Sequence, residues 1–564
     1  MEQNFTRQLF LHANASPEKP ILRVLIDKKY QEISYRDLIN NALHYQQHLT
    51  QRGVGNGDVV ILILHHSLEL IYAYFGCVLN GSIPSIMPYL TEKLIPEKYQ
   101  QDLDALFSIT LPKGVITFRD FAENMHFISA ELENNPNVLL IEEIGPTHEI
   151  FENLSPQKLP GWNRAEDDIA LLQHSSGTTG LQKGVALAHK AIFNQLESYS
   201  EALKANPDDV VISWLPLYHD MGLIAGFLMP IFLGIPLVIM SPFTWVLAPY
   251  LLMQAISDFN GTLCWLPNFA YNFCAKKIRD RDMENIDLAT LRAVINCSEP
   301  MRKPSHDMFL NAFSQYGFRE SALATSYAMA ENVFAVTQGG IDGSIKYDNV
   351  KLIPFQEQRS AVPFDGEGAA LTMVSAGKPI AGTEVRIVDG EGNFLPDRKI
   401  GEVVLKSNCM LSGYYKREDA TNESFINGWF KTGDYGYMAD KEVYITGRKK
   451  DLIIVGGKNI YPKDIETIAM EVEGVYPGRA VAFGIFNENK GTEDVVLIAE
   501  VAVDHVDRKD EIAAEVRAKV TQESAIALRQ VLIVDRRWLI KTSSGKIARA
   551  LNKEKYLKQI EQSS

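Results

Sequence analysis

Cysteine is scarce in this sequence. The 564 residues include five cysteines, no two of which form a C-x-x-C pair. An odd number without paired spacing excludes a disulfide framework and a zinc-finger type of site, so we expect buried thiols in a reducing compartment. The five are Cys77, Cys264, Cys274, Cys297 and Cys409.

Positive charge is also in deficit. The chain has 56 Lys and Arg against 70 Asp and Glu, a formal net charge of −14. Proteins that bind nucleic acid through its phosphates carry the opposite excess, so we predict no nucleic-acid partner. Internal repeats and low-complexity tracts are missing as well, and a chain of this length must be divided among several packed subdomains.

A secretory signal is not recognisable in the first ten residues, which contain an acid and no apolar segment. One uncharged stretch, Met221 to Ile256, opens with twenty residues that are long enough to span a membrane. Prolines interrupt it and no Lys or Arg cluster flanks it, which favours a buried helix followed by a buried strand. We therefore expect no integral membrane span and a cytoplasmic location.

Apolar strand-like runs alternate with helical segments over most of the chain, and this alternation predicts parallel α/β layers. Near Ile380 the pattern changes to short strands with polar turns, and after Arg448 it becomes α+β. We predict an α/β fold with a large N-terminal body, residues 1–448, made of two α/β subdomains plus a small β-rich subdomain. A small mobile α+β C-terminal domain, residues 449–564, would follow a hinge at Lys449 and Lys450.

The strongest local signal is the run SSGTTGLQKG, which follows the strand-like segment DIALLQ. Backbone N–H groups and hydroxyls of such a loop can wrap a polyphosphate, and its lysine adds positive charge. It is not the common phosphate loop, because Gln182 stands where the second glycine belongs. The alternative is a flexible surface turn, which needs far fewer such residues. The candidate phosphate ligands are Ser175, Ser176, Gly177, Thr178, Thr179, Gly180 and Lys183.

A second signal is KTSSGK, which ends at Lys546. A lysine on a glycine-containing loop can reach into a cleft between domains. By itself this is weak, since lysines near a chain end are usually solvated; its value comes from its pairing with the first loop.

Five motifs occur in order along the chain: SSGTTGLQKG, YAMAE, WFKTGD, GRKKDLIIVGGKNIYPKDIE and KTSSGK. Together they resemble the adenylate-forming superfamily of acyl-CoA synthetases, peptide-synthetase adenylation domains and luciferases, over essentially the whole chain. The resemblance implies ATP-dependent activation of a carboxylic acid as its acyl-AMP with release of pyrophosphate. ATP and Mg²⁺ would be the cofactors.

The same resemblance assigns roles in the nucleotide site. Glu331 and Thr178 would hold Mg²⁺, for which oxygen ligands are suitable. Tyr327 would stack on adenine, Asp434 would accept hydrogen bonds from the ribose hydroxyls, and Arg448 would contact ribose or phosphate. Structural alternatives stay open. Glu331 could be a solvated acid and Tyr327 an aromatic residue of the core. Asp434 could be a turn residue and Arg448 the partner of a surface ion pair. Further residues of this pocket would be Ser298, Glu299, Ala328 and Met329.

Lys546 would be the adenylation lysine, which stabilises charge on the phosphoryl oxygens. No general base is needed, because a carboxylate is already ionised at pH 7. His219, Met221 and Gly222 would line the acyl site, with a structural histidine as the alternative for His219. Since His219 and Asp220 are adjacent on an extended segment, we expect their side chains to point apart and not to form a dyad.

The length of one segment suggests the subtype. The 43 residues Asn332–Val374 separate Glu331 from SAGKPIAGTEVRIVD. Fatty-acyl-AMP ligases resemble the chain in having an insertion there and in the segment WLPLYHDMGLI. In that group the insertion packs against the body and restricts the arrangement needed for CoA.

The resemblance thus implies a fatty acid as substrate and, as acceptor, the phosphopantetheine arm of an acyl carrier protein or of a polyketide or peptide synthase carrier domain. The uncharged stretch would supply an apolar tunnel for the acyl chain. A tolerated loop extension is the alternative for the insertion. An acyl-CoA synthetase that forms a fatty acyl-CoA thioester is the alternative function.

Overall fold

A computed structural model describes residues 3–90, 96–124, 136–145, 150–174, 183–341, 343–455, 458–488, 491–524, 526–542 and 545–563. The strands are β1 (Pro20–Ile26), β2 (Lys29–Ser34), β3 (Val59–Leu62), β4 (Ile83–Ile86), β5 (Gly114–Thr117), β6 (Asn137–Leu140), β7 (Ile169–His174), β8 (Gly184–Ala188), β9 (Val211–Ser213), β10 (Leu237–Ile239), β11 (Leu263–Leu266), β12 (Ala293–Asn296), β13 (Leu323–Thr325), β14 (Thr337–Gln338), β15 (Tyr347–Lys351), β16 (Ala370–Val374), β17 (Lys378–Pro379), β18 (Thr383–Val388), β19 (Gly401–Ser407), β20 (Gly413–Tyr414), β21 (Phe425–Ile426), β22 (Trp429–Ala439), β23 (Glu442–Arg448), β24 (Ile453–Val455), β25 (Lys458–Ile460), β26 (Val475–Asn487), β27 (Thr492–Val501) and β28 (Leu528–Val534). The α-helices are α1 (Phe5–Ala15), α2 (Tyr35–Gln51), α3 (Leu68–Asn80), α4 (Pro96–Thr110), α5 (Arg119–Asn124), α6 (His189–Leu203), α7 (Met229–Leu233), α8 (Pro242–Leu247), α9 (Tyr250–Asp258), α10 (Asn268–Lys277), α11 (Lys303–Phe313), α12 (Leu352–Glu357), α13 (Glu418–Glu423), α14 (Pro462–Met470), α15 (Lys509–Ser524) and α16 (Arg549–Ser563).

A seven-stranded sheet runs through the body in the order β13-β12-β11-β9-β10-β1-β2. Neighbours from β13 to β1 are parallel, and β2 returns antiparallel to β1. Every residue of β9, β10, β11 and β12 is buried, as expected for parallel strands covered by helices on both faces. The polar ends of β12 and β13 lead directly into the candidate nucleotide residues.

A second parallel sheet, in the order β4-β3-β5-β6, forms the other α/β layer. Beside it lies a three-stranded sheet, β20-β8-β7, in which β7 and β8 form an antiparallel pair. This pair departs from the parallel order that the alternating pattern predicts. The apolar residues of β8 are buried, and the strand is paired on both sides. The run SSGTTGLQKG therefore connects two hydrogen-bonded strands.

The uncharged stretch folds as a π-helix over Met221–Leu228, then α7, β10, α8 and α9. All residues of the π-helix and of β10 are buried, which confirms the prediction of a buried helix and strand. Within the described ranges, no helix is both long and apolar enough to cross a membrane. The five cysteines are also buried and unpaired, as predicted.

The remaining sheets confirm the mixed architecture. The β-rich part has the order β18-β19-β22-β21, with β23 paired to β22. After it, β26-β27-β28 form a separate sheet that packs with α14 and α15 around its own apolar cluster. Arg549 is half-buried there and pairs with Asp451 and Glu466, each at 2.6 Å. The domain boundary between residues 448 and 449 stays a prediction, and so does the mobility of the C-terminal unit, residues 449–564.

The insertion Asn332–Val374 contains β14, β15, α12 and β16, and it contacts the C-terminal hairpin β24–β25. The side chain of Asn459 is 4% exposed; its Oδ1 accepts a hydrogen bond from Arg359 at 3.0 Å, and its Nδ2 donates to the Gln356 carbonyl at 3.1 Å. The ring of Phe355 packs 5.8 Å from that of Tyr461. The insertion thus joins the β-rich subdomain to the C-terminal hairpin.

Candidate active site

The candidate phosphate loop is bracketed by β7 and β8. Six of its proposed ligands, Ser175, Ser176, Gly177, Thr178, Thr179 and Gly180, lie outside the described residues. The seventh, Lys183, directly precedes β8, and its Nζ lies 4.5 Å from the ring centroid of Tyr414. The positive charge that the sequence assigns to polyphosphate therefore sits over an aromatic face.

Glu331 occupies a short 3-10 turn, Ala330–Asn332. Its carboxylate accepts a hydrogen bond from the Tyr414 hydroxyl at 2.9 Å. Burial raises the pKa of Glu331, while the hydrogen bond from Tyr414 and the charge of Arg448 act in the opposite direction. A partly exposed carboxylate with one side-chain hydrogen bond among the described residues is well suited to face a cation.

The chain behind Glu331 is strained. Val333, fully buried, has φ +62° and ψ −55°, and the Phe334 N–H donates to the Asn332 carbonyl at 2.6 Å. This is a γ-turn centred on a β-branched residue, a conformation that costs about 1–3 kcal/mol and persists only where the surroundings enforce it. Such strain clusters at functional sites, and here it fixes the path of the chain immediately after the candidate metal ligand.

The proposed adenine and ribose residues meet at one point. The Tyr327 hydroxyl donates to Asp434 Oδ2 at 2.6 Å, and Arg448 Nε lies 3.3 Å from Asp434 Oδ1. Asp434 and Arg448 are cross-strand partners on β22 and β23, which explains their proximity. The charge of Asp434 raises the pKa of Arg448. The structure thus brings together three residues that are far apart in sequence.

The residues after β12 form another wall of the candidate site, in addition to the cluster of Tyr327, Asp434 and Arg448. Ser298 has φ +68°, an uncommon left-handed conformation for serine, and its Oγ lies 3.7 Å from Met221 Sδ. Glu299 Oε2 accepts a hydrogen bond from the Phe269 N–H at 3.0 Å, near the start of α10. Ala328 and Met329 continue from Tyr327, and the Met329 N–H donates to the Phe334 carbonyl at 2.8 Å.

His219 and Asp220 correct one prediction. Their side chains are in contact, with 2.6 Å between Nδ1 and Oδ1, so the expectation that they point apart is wrong. The reason is local: the segment is a turn, not a strand, and Asp220 adopts αR geometry as the N-cap of the π-helix, accepting from the Met221 N–H at 2.7 Å. Burial alone would raise the pKa of Asp220, but His219 and Lys546 lower it on balance.

Lys546 is partly exposed and lies near charged groups of the body. Burial lowers its pKa, and the nearby charges of Glu299 and Asp220 oppose that shift. Its loop is closed by hydrogen bonds from Thr542 N–H to the Lys546 carbonyl at 2.8 Å and from Lys546 N–H to Thr542 Oγ1 at 3.2 Å. The C-terminal unit therefore delivers this ammonium group to the wall that contains Glu299 and Asp220.

The candidate hinge lies in the 3-10 turn Lys449–Asp451. Lys449 Nζ is 2.7 Å from Oε2 of the buried Glu402. Burial and the charge of Arg448 lower the pKa of Lys450. The contact of Arg302 with Asp464, at 2.6 Å, ties the C-terminal unit to the body.

The candidate acyl residues begin the π-helix. Gly222 packs so closely that a Cβ there would lie 2.2 Å from the Pro216 carbonyl oxygen, so glycine is required sterically. Upstream in the same motif, Trp214 stacks on Trp245 with ring centroids 3.6 Å apart and an interplanar angle of 6°. These contacts fix the segment that presents His219 and Met221.

Two residues of the site were missed by sequence reasoning. Tyr414 contacts Glu331 across 83 positions, and no motif around it marks it. Asp220 was dismissed as half of a dyad, although its proximity to His219 and Lys546 makes it part of the cleft. A polar residue capping an apolar run was the available signal for Asp220.

The described residues supply only some of the ligands that a magnesium ion needs. Among the described residues, no group of three or more His, Cys, Asp or Glu could hold a metal ion. One carboxylate, that of Glu331, lies near Tyr414 and Lys183, where the triphosphate of ATP is expected. This suits Mg²⁺, which binds through one or two carboxylates together with substrate phosphates.

Comparison with known proteins agrees with this geometry. The profile of the family described as AMP-binding enzyme matches residues 9–415. The chain is 29% identical over 554 residues to the medium-chain-fatty-acid–[acyl-carrier-protein] ligase JamA of Moorena producens, covering 94% of this chain and 91% of the relative. It is 30% identical over 547 residues to the long-chain-fatty-acid–AMP ligase FadD32 of Mycobacterium marinum, covering 89% and 85%. A solved structure from studies of fatty acyl-adenylate ligases of E. coli and L. pneumophila superposes with a TM-score of 0.89 at 25% identity, covering 100% of this chain and 98% of that one. The chain therefore belongs to the AMP-binding enzyme family.

Proposed function

We propose that this protein activates a fatty acid as its acyl-AMP and then passes the acyl group to the phosphopantetheine thiol of an acyl carrier protein. The observation that carries the proposal is the placement of Lys546 beside Glu299 and Asp220, at the wall next to the Tyr327–Asp434–Arg448 cluster. Enzymes of this family use ATP, and relatives along almost the full length are named for fatty-acid–AMP ligation and for ligation to acyl carrier protein.

In the first half-reaction a carboxylate oxygen of the fatty acid attacks the α-phosphorus of ATP. The bond between the α-phosphorus and the bridging oxygen breaks, and pyrophosphate leaves with its electron pair. The Lys546 ammonium, placed near Glu299 and Asp220, stabilises the charge on the phosphoryl oxygens in the transition state. Asp434 accepts from the ribose hydroxyls, and Tyr327 flanks the adenine.

At the phosphate end, Glu331 and Thr178 would hold Mg²⁺ together with the phosphates. When bound, the ion neutralises the leaving pyrophosphate. The loop residues Ser175–Gly180 and Lys183 would contact the β- and γ-phosphates.

In the second half-reaction the phosphopantetheine thiolate attacks the acyl carbonyl, a thioester bond forms, and AMP leaves. Rotation at Lys449 and Lys450 would remove Lys546 from the cleft between the two steps. That rotation breaks the Lys449–Glu402 and Arg302–Asp464 contacts and separates Asn459 from the insertion. The insertion therefore restricts the rearrangement, which favours a tethered carrier over free CoA as acceptor. The reducing environment that unpaired cysteines need supports a cytoplasmic location.

The test is to incubate the protein with ATP, Mg²⁺ and laurate, alone, with CoA, or with a holo acyl carrier protein. We expect lauroyl-AMP to accumulate alone, lauroyl thioester to appear on the carrier, and little lauroyl-CoA. Rapid lauroyl-CoA formation would assign the acyl-CoA synthetase function instead. No adenylate with any carboxylic acid would refute the activation chemistry itself.

A further inference from the structure

Tyr414 lies where three elements meet. It forms the end of β20 and pairs with Val185 of β8, two residues after Lys183. Just before it, the Leu411 N–H donates to the Glu331 carbonyl at 2.8 Å. Its own N–H donates to Thr421 Oγ1 at 2.9 Å. The backbone at Tyr414 is therefore fixed by its neighbours, and so is the direction of its side chain.

The side chain of Tyr414 contacts two charges at once. Its hydroxyl donates to Glu331 Oε1 at 2.9 Å, and the Lys183 Nζ lies 4.5 Å from its ring centroid. Within the described ranges, no other side chain is hydrogen-bonded to the Glu331 carboxylate. The ring face attracts the ammonium, while the hydroxyl holds the carboxylate, so one residue fixes the separation of a cation and an anion.

Glu331 is constrained from the other side as well. The γ-turn at Val333 fixes the backbone after it, and the Phe334 N–H in that turn is also bound to Gln195 Oε1 at 3.1 Å. A carboxylate whose backbone is rigid still has side-chain rotations left. The hydrogen bond from the Tyr414 hydroxyl restricts them.

The geometry points to Tyr414 as a positioning residue for the polyphosphate end of ATP: its hydroxyl orients Glu331 and its ring seats Lys183. The inference rests on the proposed function. It implies that Tyr414 acts on the β- and γ-phosphates with their metal and has no part in holding the nucleoside.

The test compares two ligands by calorimetry, without turnover. One is an ATP analogue with a methylene bridge between the α- and β-phosphates, with and without Mg²⁺; the other is AMP. Tyr414→Phe should weaken binding of the analogue with Mg²⁺ by about tenfold, because a hydrogen bond to a charged group is lost. AMP binding should change less than about twofold, and the effect on the analogue should vanish in EDTA.

Neighbouring variants serve as controls. Tyr415→Phe removes the adjacent hydroxyl, from a tyrosine whose ring contacts Lys416, and should bind both ligands as the wild type does. Tyr414→Leu also removes the aromatic ring that contacts Lys183 and should weaken binding of the analogue about threefold further. Tyr414→Phe combined with Glu331→Gln should be no weaker than Glu331→Gln alone, because the hydroxyl acts through the carboxylate.

If Tyr414→Phe binds the ATP analogue with Mg²⁺ as tightly as the wild type does, the inference is overturned. Equal weakening of AMP and the analogue would also overturn it, since that pattern indicates a general structural role. If Tyr414→Phe does not fold, Tyr414→Leu and the Glu331→Gln background decide by the same comparison. Failure of the wild type to bind the analogue or to form acyl-AMP would refute the proposed function instead, before any variant is compared.

Discussion

Asn459 is the residue at which the restraint of the C-terminal unit by the insertion can be tested most directly. Its carboxamide makes both of its hydrogen bonds across the junction, one from the Arg359 guanidinium and one to the Gln356 carbonyl. Asn459→Ala removes both without changing the charge of either partner. The nearby Lys458–Glu357 pair, at 3.0 Å with both side chains more than 40% exposed, crosses the same junction and supplies a matched control.

The magnitude follows from the two contacts. A hydrogen bond to a charged group contributes about 1.5–3 kcal/mol and a neutral one about 0.5–1.5 kcal/mol. Arg359 is exposed and regains water, so we take the lower end, about 2 kcal/mol, for the docked arrangement. That is roughly a thirtyfold shift in the docked-to-undocked ratio. Lys458→Ala, which breaks an exposed ion pair, should cost under about 1 kcal/mol.

Two assays read this shift. Hydrogen exchange at the amides of β24 and β25 should accelerate in Asn459→Ala by about the same thirtyfold factor and scarcely change in Lys458→Ala. Lauroyl-CoA formation should rise in Asn459→Ala relative to lauroyl-AMP. Faster exchange without any gain in CoA ester would show that the insertion holds the hairpin but does not select the acceptor. Unchanged exchange would refute the reasoning from these contacts.

Three further predictions concern charge. Lys546→Ala should lower the rate of acyl-AMP formation at least about a hundredfold, since a cation placed at the phosphoryl oxygens is removed; near-normal rates in a hydroxamate assay would contradict the mechanism. Asp434→Asn loses the charge that pairs with Arg448 and should weaken AMP binding about tenfold with a melting temperature close to that of the wild type; tight AMP binding would remove Asp434 from the ribose site. Burial lowers the pKa of His174 to about 4 and of His189 to about 3, so the unfolded chain binds more protons below pH 6.5 and the unfolding free energy should fall from pH 6.5 towards pH 4. Urea unfolding between pH 7 and pH 5 checks this, and a pH-independent midpoint would contradict it.

The order of the motifs predicted the fold and the family, and two of the motifs follow strands of the body: SSGTTGLQKG comes after β7 and YAMAE after β13. Buried parallel strands such as β12 and the uncharged stretch followed from composition and periodicity. What failed was local geometry: His219 and Asp220 were treated as extended, but the N-cap of the π-helix turns the chain there and brings the side chains together. Spacing in sequence does not reveal a tight turn without glycine or proline at its centre.

Long-range contacts were beyond sequence reasoning. Tyr414 meets Glu331 where β20 pairs with β8 and the Leu411 N–H donates to the Glu331 carbonyl. The register between strands far apart in sequence cannot be read from either segment alone. The insertion was recognised by its length, but its contact with Asn459 was not predicted. Asn459 lies in the motif GRKKDLIIVGGKNIYPKDIE, from which Arg448 and the hinge were predicted. The roles of the individual site residues stay predictions until the variants are measured.

The stacked indoles of Trp214 and Trp245 provide an optical probe of the candidate acyl region. Nearly parallel rings 3.6 Å apart couple their electronic transitions, so the pair should give a strong near-ultraviolet circular dichroism band that the four other tryptophans do not share. Trp214 begins the segment that leads to His219, and Trp245 belongs to α8 on the uncharged stretch. We expect a fatty acid that enters between these elements to alter the angle between the rings. The chain thus contains its own spectroscopic reporter, with which acyl chains of different lengths can be titrated and compared without a label.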